Sequence, residues 1–106
     1  MDILEKKNKY NNLFDYYGCL LTKKQQDYFV SYYFDDLSLS EIANIYNVSR
    51  NAVYDTLNKI YSLLDYYEEV LCLSKKDNEI NTILSKYEKS SNEEVLELIN
   101  KLRSME

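Results

Sequence analysis

Ser49-Arg50-Asn51, followed by Tyr54, Asp55, Asn58 and Lys59, is the segment of this chain whose side chains have most to offer chemically. On a helix beginning at Ser49, steps of three and four bring these residues to an outward face. Arginine and asparagine carry the forked groups that match guanine O6/N7 and adenine N6/N7 in the major groove of DNA. Ser49 and Lys59 suit phosphate oxygens, and Tyr54 a base ring or a thymine methyl. The same residue types also make an ordinary solvated helix face, so both readings stand.

To enter a groove, such a face must be held at an angle by a second helix, and residues 38–60 provide the pattern. Ala43 is small enough for two helices to approach closely. Asn47 stands where the turn needs a left-handed residue, which asparagine tolerates better than other non-glycine types. Ile42 points inward, Val48 is expected to plug the angle, and Val53 with Leu57 anchors the second helix. A plain helical hairpin would use the same residues only as core. Alanine, turn asparagine, plug and anchors in one register favour the helix-turn-helix.

The rest of the chain must support this unit. With 106 residues a single domain over 1–106 is expected. One glycine and no proline point to an all-α fold, because sheet turns lean on both residues. Helical spacing over 2–17 ends at Gly18, and Thr22 with Gln25 forms a capping box opening a helix through Tyr28, Phe29, Tyr32 and Tyr33 to Asp35-Asp36. Ser38 with Glu41 opens a short helix with Leu39, Ile42, Ala43 and Tyr46 inward. Ser49 caps a long helix running to about Leu73, with a stripe at Val53, Leu57, Ile60, Leu64, Tyr67 and Leu71. A connector at Ser74–Asn78 precedes a helical extension over 74–106, in which a fifth helix carries Ile80, Ile83, Leu84 and Tyr87. Ser91 with Glu94 opens a sixth, carrying Val95, Leu98, Ile99 and Leu102. One helix-turn-helix core is too small to cover all of these stripes, so a homodimer is expected.

Enzyme chemistry finds little material. There is no histidine to act as general base, and one glycine cannot build a phosphate loop. Neighbouring carboxylates at Glu68-Glu69 and Glu93-Glu94 splay about 100° apart on a helix. Cys19 and Cys72 have no metal-ligand spacing. No catalytic residue, metal site or cofactor is expected. The N-terminal sequence lacks the apolar stretch of a signal peptide, and no run approaches the ~18 apolar residues of a membrane span. A cytoplasmic protein with reduced thiols and no membrane insertion follows.

Two features pull against a nucleic-acid partner. Residues 22–62 hold four basic and five acidic side chains within a chain of net charge −5, whereas phosphate neutralisation drives most DNA binding. The pairs Tyr16-Tyr17, Tyr32-Tyr33 and Tyr66-Tyr67 have the rings to stack on single-stranded RNA. No basic residue interleaves with them, which favours one ring in the core and one at its rim.

Four stretches together resemble a known family: Leu21-Thr22-x-x-Gln25-x-x-Tyr28, the run Asp36-Leu37-Ser38-Leu39-Ser40-Glu41-Ile42-Ala43, the run Asn47-Val48-Ser49-Arg50-x-Ala52-Val53-Tyr54-Asp55, and Tyr67-Glu68-Glu69-x-Leu71. They look like region 4 of sigma-70-type factors and, more closely, like the YlxM-type family of small bacterial proteins. The resemblance covers about residues 10–73 and implies a sigma-70 region 4-like core with a long second helix and additional C-terminal helices. It also implies a regulatory, DNA-binding role linked to the signal recognition particle pathway, with that particle's protein or RNA as partners. The rival is an interaction adaptor, or an RNA-binding accessory of the particle, that keeps the motif as scaffold. The chain departs from the pattern in having Lys59 as the lone base at Asn58-Lys59, and Gln26 where sigma-like proteins often carry arginine.

Overall fold

Side chains at four N-caps set the helix boundaries in the first half of the chain, beginning with Asp2, whose Oδ1 accepts from the Glu5 amide at 2.7 Å. Thr22 Oγ1 accepts from the Gln25 amide at 3.2 Å while Gln25 Oε1 accepts from the Thr22 amide at 2.9 Å. Ser38 and Glu41 make the same reciprocal pair at 3.1 Å each. Ser49 Oγ accepts from the Ala52 amide at 3.0 Å. Each pair satisfies amides that a first helical turn leaves without partners. The computed structural model describes residues 2–105, so Met1 and Glu106, the ends of the expected 1–106 domain, lie outside it. It comprises α1 (Ile3–Tyr17), one 3-10 turn (Gly18–Leu20), α2 (Lys23–Tyr33), α3 (Leu39–Tyr46), α4 (Arg50–Leu71), α5 (Leu73–Tyr87) and α6 (Glu93–Arg103). The fold is all-α, with no strand among the described residues.

The chain divides into two compact units, Met1–Cys72 and Leu73–Glu106. In the first, α4 is the spine, and α1, α2 and α3 all pack on it. Val53, Leu57, Ile60 and Leu64 repeat at steps of three and four along its inner side and are all buried. Against them lie Leu13 and Tyr17 of α1, Tyr28 and Phe29 of α2, and Ile42 and Ala43 of α3. The buried stripe of α1 begins only at Tyr10: Ile3 and Leu4, though within the helical spacing of residues 2–17, are exposed. Three polar ties fix α1 along α4. Tyr10 Oη donates to Asp65 Oδ2 at 2.8 Å, Lys9 Nζ pairs with Asp65 Oδ1 at 3.1 Å, and Tyr17 Oη donates to Glu68 Oε1.

Gly18 ends α1 as expected, yet without the left-handed conformation that usually explains a terminal glycine. Its φ of −56° is ordinary right-handed backbone. A Cβ there would sit 2.9 Å from the Phe14 ring, which is itself stacked on Phe29 at 4.2 Å. Close approach, then, is what requires glycine. The left-handed positions fall instead on Asp36, Asn47 and Cys72, with φ near 55° at each. Asp and Asn accept this region readily, and Cys72 is the unusual occupant.

The connector expected at Ser74–Asn78 is helical. The single residue Cys72 separates α4 from α5, and the polar residues after it, containing neither Gly nor Pro, continue as helix. α6 is capped by Asn92, not by Ser91: Asn92 Oδ1 accepts from the amides of Glu94 and Val95 at 2.9 and 3.3 Å. Within this second unit α5 and α6 pack together, Leu84 and Ile99 are buried, and Arg103 pairs with Glu88 at 3.2 Å.

Candidate nucleic-acid interface

Asn47 turns the chain between α3 and α4 with φ 55° and ψ 48°, and its amide closes α3 onto the Ala43 carbonyl. The Val48 amide bonds the same carbonyl at 3.0 Å, so Ala43 receives the whole turn. A larger side chain at that buried position would force the two helices apart. Ile42, Ala43, Val53 and Leu57 lie in the core. Val48 does not. At 36% exposure it lies at the surface of the turn, whereas Ile42 and Leu57 are buried. Tyr46, also expected inward, is 37% exposed and rests its ring against Tyr28 at 4.8 Å.

The start of α4 presents the residues singled out for base contact. Ser49, Arg50, Asn51, Tyr54, Asp55 and Lys59 are exposed, and Asn58 is half-buried. Ser49 uses its oxygen as cap acceptor, leaving its hydroxyl proton for a phosphate. Arg50 and Lys59 take no part in any ion pair among the described residues, and Asp55 stands between them in sequence. The face therefore carries a small excess of positive charge on an acidic protein.

Tyr54 and Asn58 also border a cleft that the sequence does not reveal. One recess of about 180 Å³ is lined by Ile3, Lys6, Lys7, Tyr32, Tyr33 and Tyr61. Another of about 100 Å³ shares Lys6, Tyr32 and Tyr61 with it and adds Leu39, Tyr54, Leu57 and Asn58. Lys6 Nζ lies 4.7 Å from the Tyr61 ring centre, and Lys7 Nζ lies 5.1 Å from that of Tyr32. Basic residues do accompany these tyrosines, contrary to what their sequence spacing suggests, because α1 lays its lysines beside α2 and α4. Tyr33 Oη and Tyr61 Oη are hydrogen-bonded at 3.1 Å. Burial, with that bond second, pushes the Tyr33 phenol far above its ordinary range, and burial raises Tyr61 as well. Both hydroxyls remain protonated and neutral at physiological pH.

Gln26 ties the 3-10 turn to α2. Its side-chain amide donates to the carbonyls of Gly18 and Leu21 at 2.9 and 3.3 Å. Cys19 and Cys72 are free thiols. Among the described residues no group of three or more potential ligands converges for a metal, and no helix is long and apolar enough to cross a membrane.

An angled helix pair with a left-handed asparagine turn, buried inner faces and a polar second helix defines the class of helix-turn-helix proteins. A profile described as "Putative helix-turn-helix protein, YlxM / p13 like" matches residues 4–104. The chain is 43% identical over 108 residues to the UPF0122 protein YlxM of Bacillus subtilis (strain 168), covering 97% of this chain and 98% of that one. It is 51% identical over 83 residues to a UPF0122 protein of Bacillus pumilus (strain SAFR-032), covering 78% and 76%, and 46% identical over 92 residues to one of Bacillus cereus (strain AH187), covering 87% and 84%. The chain belongs to the UPF0122, YlxM/p13-like family, which is not an enzyme class.

Proposed function

We propose that this protein is a regulatory DNA-binding protein that reads duplex DNA with the first turns of α4. The observation that carries this reading is the outward, ion-pair-free Arg50 beside Asn51 immediately after the Ser49 cap, on a helix whose other side is locked into the core. The N-terminal part of the second helix is where helix-turn-helix proteins meet base edges. Asp55 tempers non-specific affinity, so specificity leans on base contacts more than on charge.

A salt-series binding measurement tests this against genomic DNA fragments, signal recognition particle RNA and that particle's GTPase protein in parallel. Arg50→Ala is expected to weaken specific DNA binding by about 1–3 kcal/mol and to relax one base preference. Asn58→Lys is expected to strengthen binding to all DNA and to steepen the salt dependence by about one phosphate contact. Identical retardation of both variants and wild type at low salt would remove α4 from the interface. Binding to the GTPase protein with none to DNA would favour an adaptor in the signal recognition particle pathway.

A homodimer is part of the same proposal. Ile80 and Ile83 of α5 and Leu98 and Leu102 of α6 are 40–58% exposed, an unusual concentration of apolar side chains for a unit of 34 residues. A two-fold contact between copies is the commonest way to cover such a surface. Light scattering at micromolar concentration is expected to give a dimeric mass that Leu98→Asp converts to the monomer. A monomeric wild type would refute the assembly.

A further inference from the structure

We propose that the cleft between α1, α2 and α4 takes one unpaired nucleotide of a single-stranded nucleic acid, its phosphate beside Lys6 and Lys7 and its base against Tyr54. Charge is the first support. Residues 1–72 hold eleven acidic and seven basic side chains, yet no carboxylate lines either recess of the cleft and two lysines do. Neither lysine joins an ion pair among the described residues. Both ammonium groups are instead held over tyrosine rings, which limits their freedom while leaving their charge for an anion.

Ring chemistry is the second. Tyr54 is 52% exposed, and among the described residues no other ring stacks on it. It has an open face at the rim, whereas Tyr61 is already covered by Tyr10 at 4.4 Å. A base laid on such a ring gains on the order of tenfold or more in affinity, whatever its identity. Asn58, half-buried at the same edge, offers both a donor and an acceptor to a base edge.

Size is the third. The recesses, at about 180 and 100 Å³, fall below the roughly 300 Å³ at which small-molecule pockets begin. They suit part of a strand anchored by its neighbours better than a free ligand. Bases stacked in a duplex cannot enter a recess, whereas splayed bases of a single strand can. Such a site goes beyond duplex reading and uses neither Arg50 nor Asn51.

Fluorescence anisotropy of the full chain, with a labelled short oligothymidylate and a labelled duplex across a salt series, tests it. The double substitution Lys6→Ala/Lys7→Ala is expected to weaken oligothymidylate binding about tenfold or more and to flatten its salt dependence by about 1.4 logarithmic units per decade. Tyr54→Ala is expected to weaken it about tenfold with the salt dependence unchanged. Arg50→Ala is expected to leave it unaltered while weakening the duplex. Lost duplex binding with retained oligothymidylate binding would sink the duplex reading and leave this one standing. Three results would overturn the proposal: no oligothymidylate binding at low salt, equal affinity for the double variant and wild type, or equally tight binding of polyglutamate. Melting temperatures of the lysine and Tyr54 variants near that of wild type establish that their folds are intact.

Discussion

Phe29→Ala is expected to cost about 3–5 kcal/mol of stability, the range for removing a large buried aromatic side chain. Phe29 is fully buried, and its ring lies nearly parallel to those of Phe14 at 4.2 Å and Tyr33 at 4.1 Å. Truncation therefore removes two stacks as well as the transfer energy of the ring, and neighbours held by α1 and α2 cannot both close the void. A chain of this size has roughly 5–15 kcal/mol in total, so the variant stands near the edge of folding. Tyr33 walls the cleft, and loosening Phe29 should also weaken whatever the cleft holds. Urea unfolding followed by circular dichroism measures the loss, with Phe29→Leu as a milder control. A loss below about 1 kcal/mol would mean that the aromatic cluster of α1 and α2 is not the centre of the core.

Legibility from sequence follows the range of the interaction. The capping boxes at Thr22 and Ser38, the cap at Ser49 and the left-handed Asn47 all join residues no more than four apart, so their types and spacing announce them. The inner stripe of α4 is legible for the same reason from Val53 to Leu64, whereas Tyr67 is only half-buried and Leu71, expected to extend the stripe, is exposed. What stays hidden depends on distant partners or on unusual occupants. Lys6 meets Tyr61 across 55 positions of sequence, and nothing in either neighbourhood signals the other. Cys72 adopts a left-handed conformation that its residue type does not suggest, so sequence alone puts the break between α4 and α5 in the polar run that follows. Val48 reads as the plug from its apolar character and its place in the motif, yet it is 36% exposed. Gly18 reads as a backbone signal when its cause is the ring of Phe14.

Alkaline pH is expected to unfold this protein more sharply than its modest charge would suggest. Burial raises the phenols of Tyr33, Tyr61, Tyr10 and Tyr28 above their ordinary values, assisted at Tyr33 by the bond to Tyr61 and at Tyr10 by the bond to Asp65. A phenol whose folded pKa lies above its unfolded value contributes stability that is fully present below the unfolded value of about 10. That contribution is lost as pH rises from there through the folded value, because the unfolded chain sheds the proton first. Lys9, raised by its hydrogen bond to Asp65, acts in the same direction. No histidine titrates nearer neutrality, so the urea midpoint should be flat between about pH 7 and 9 and should fall steeply above about 10. Phenolate absorbance recorded alongside should show the raised phenols of Tyr33, Tyr61, Tyr10 and Tyr28 ionising only as the fold is lost. Tyr33→Phe removes the hydroxyl whose bond helps raise that phenol and should soften the alkaline fall relative to wild type. If these four phenols ionised near pH 10 with the fold intact, they would have to be open to solvent, and the half-buried, hydrogen-bonded Tyr33–Tyr61 pair that lines the cleft could not exist as described.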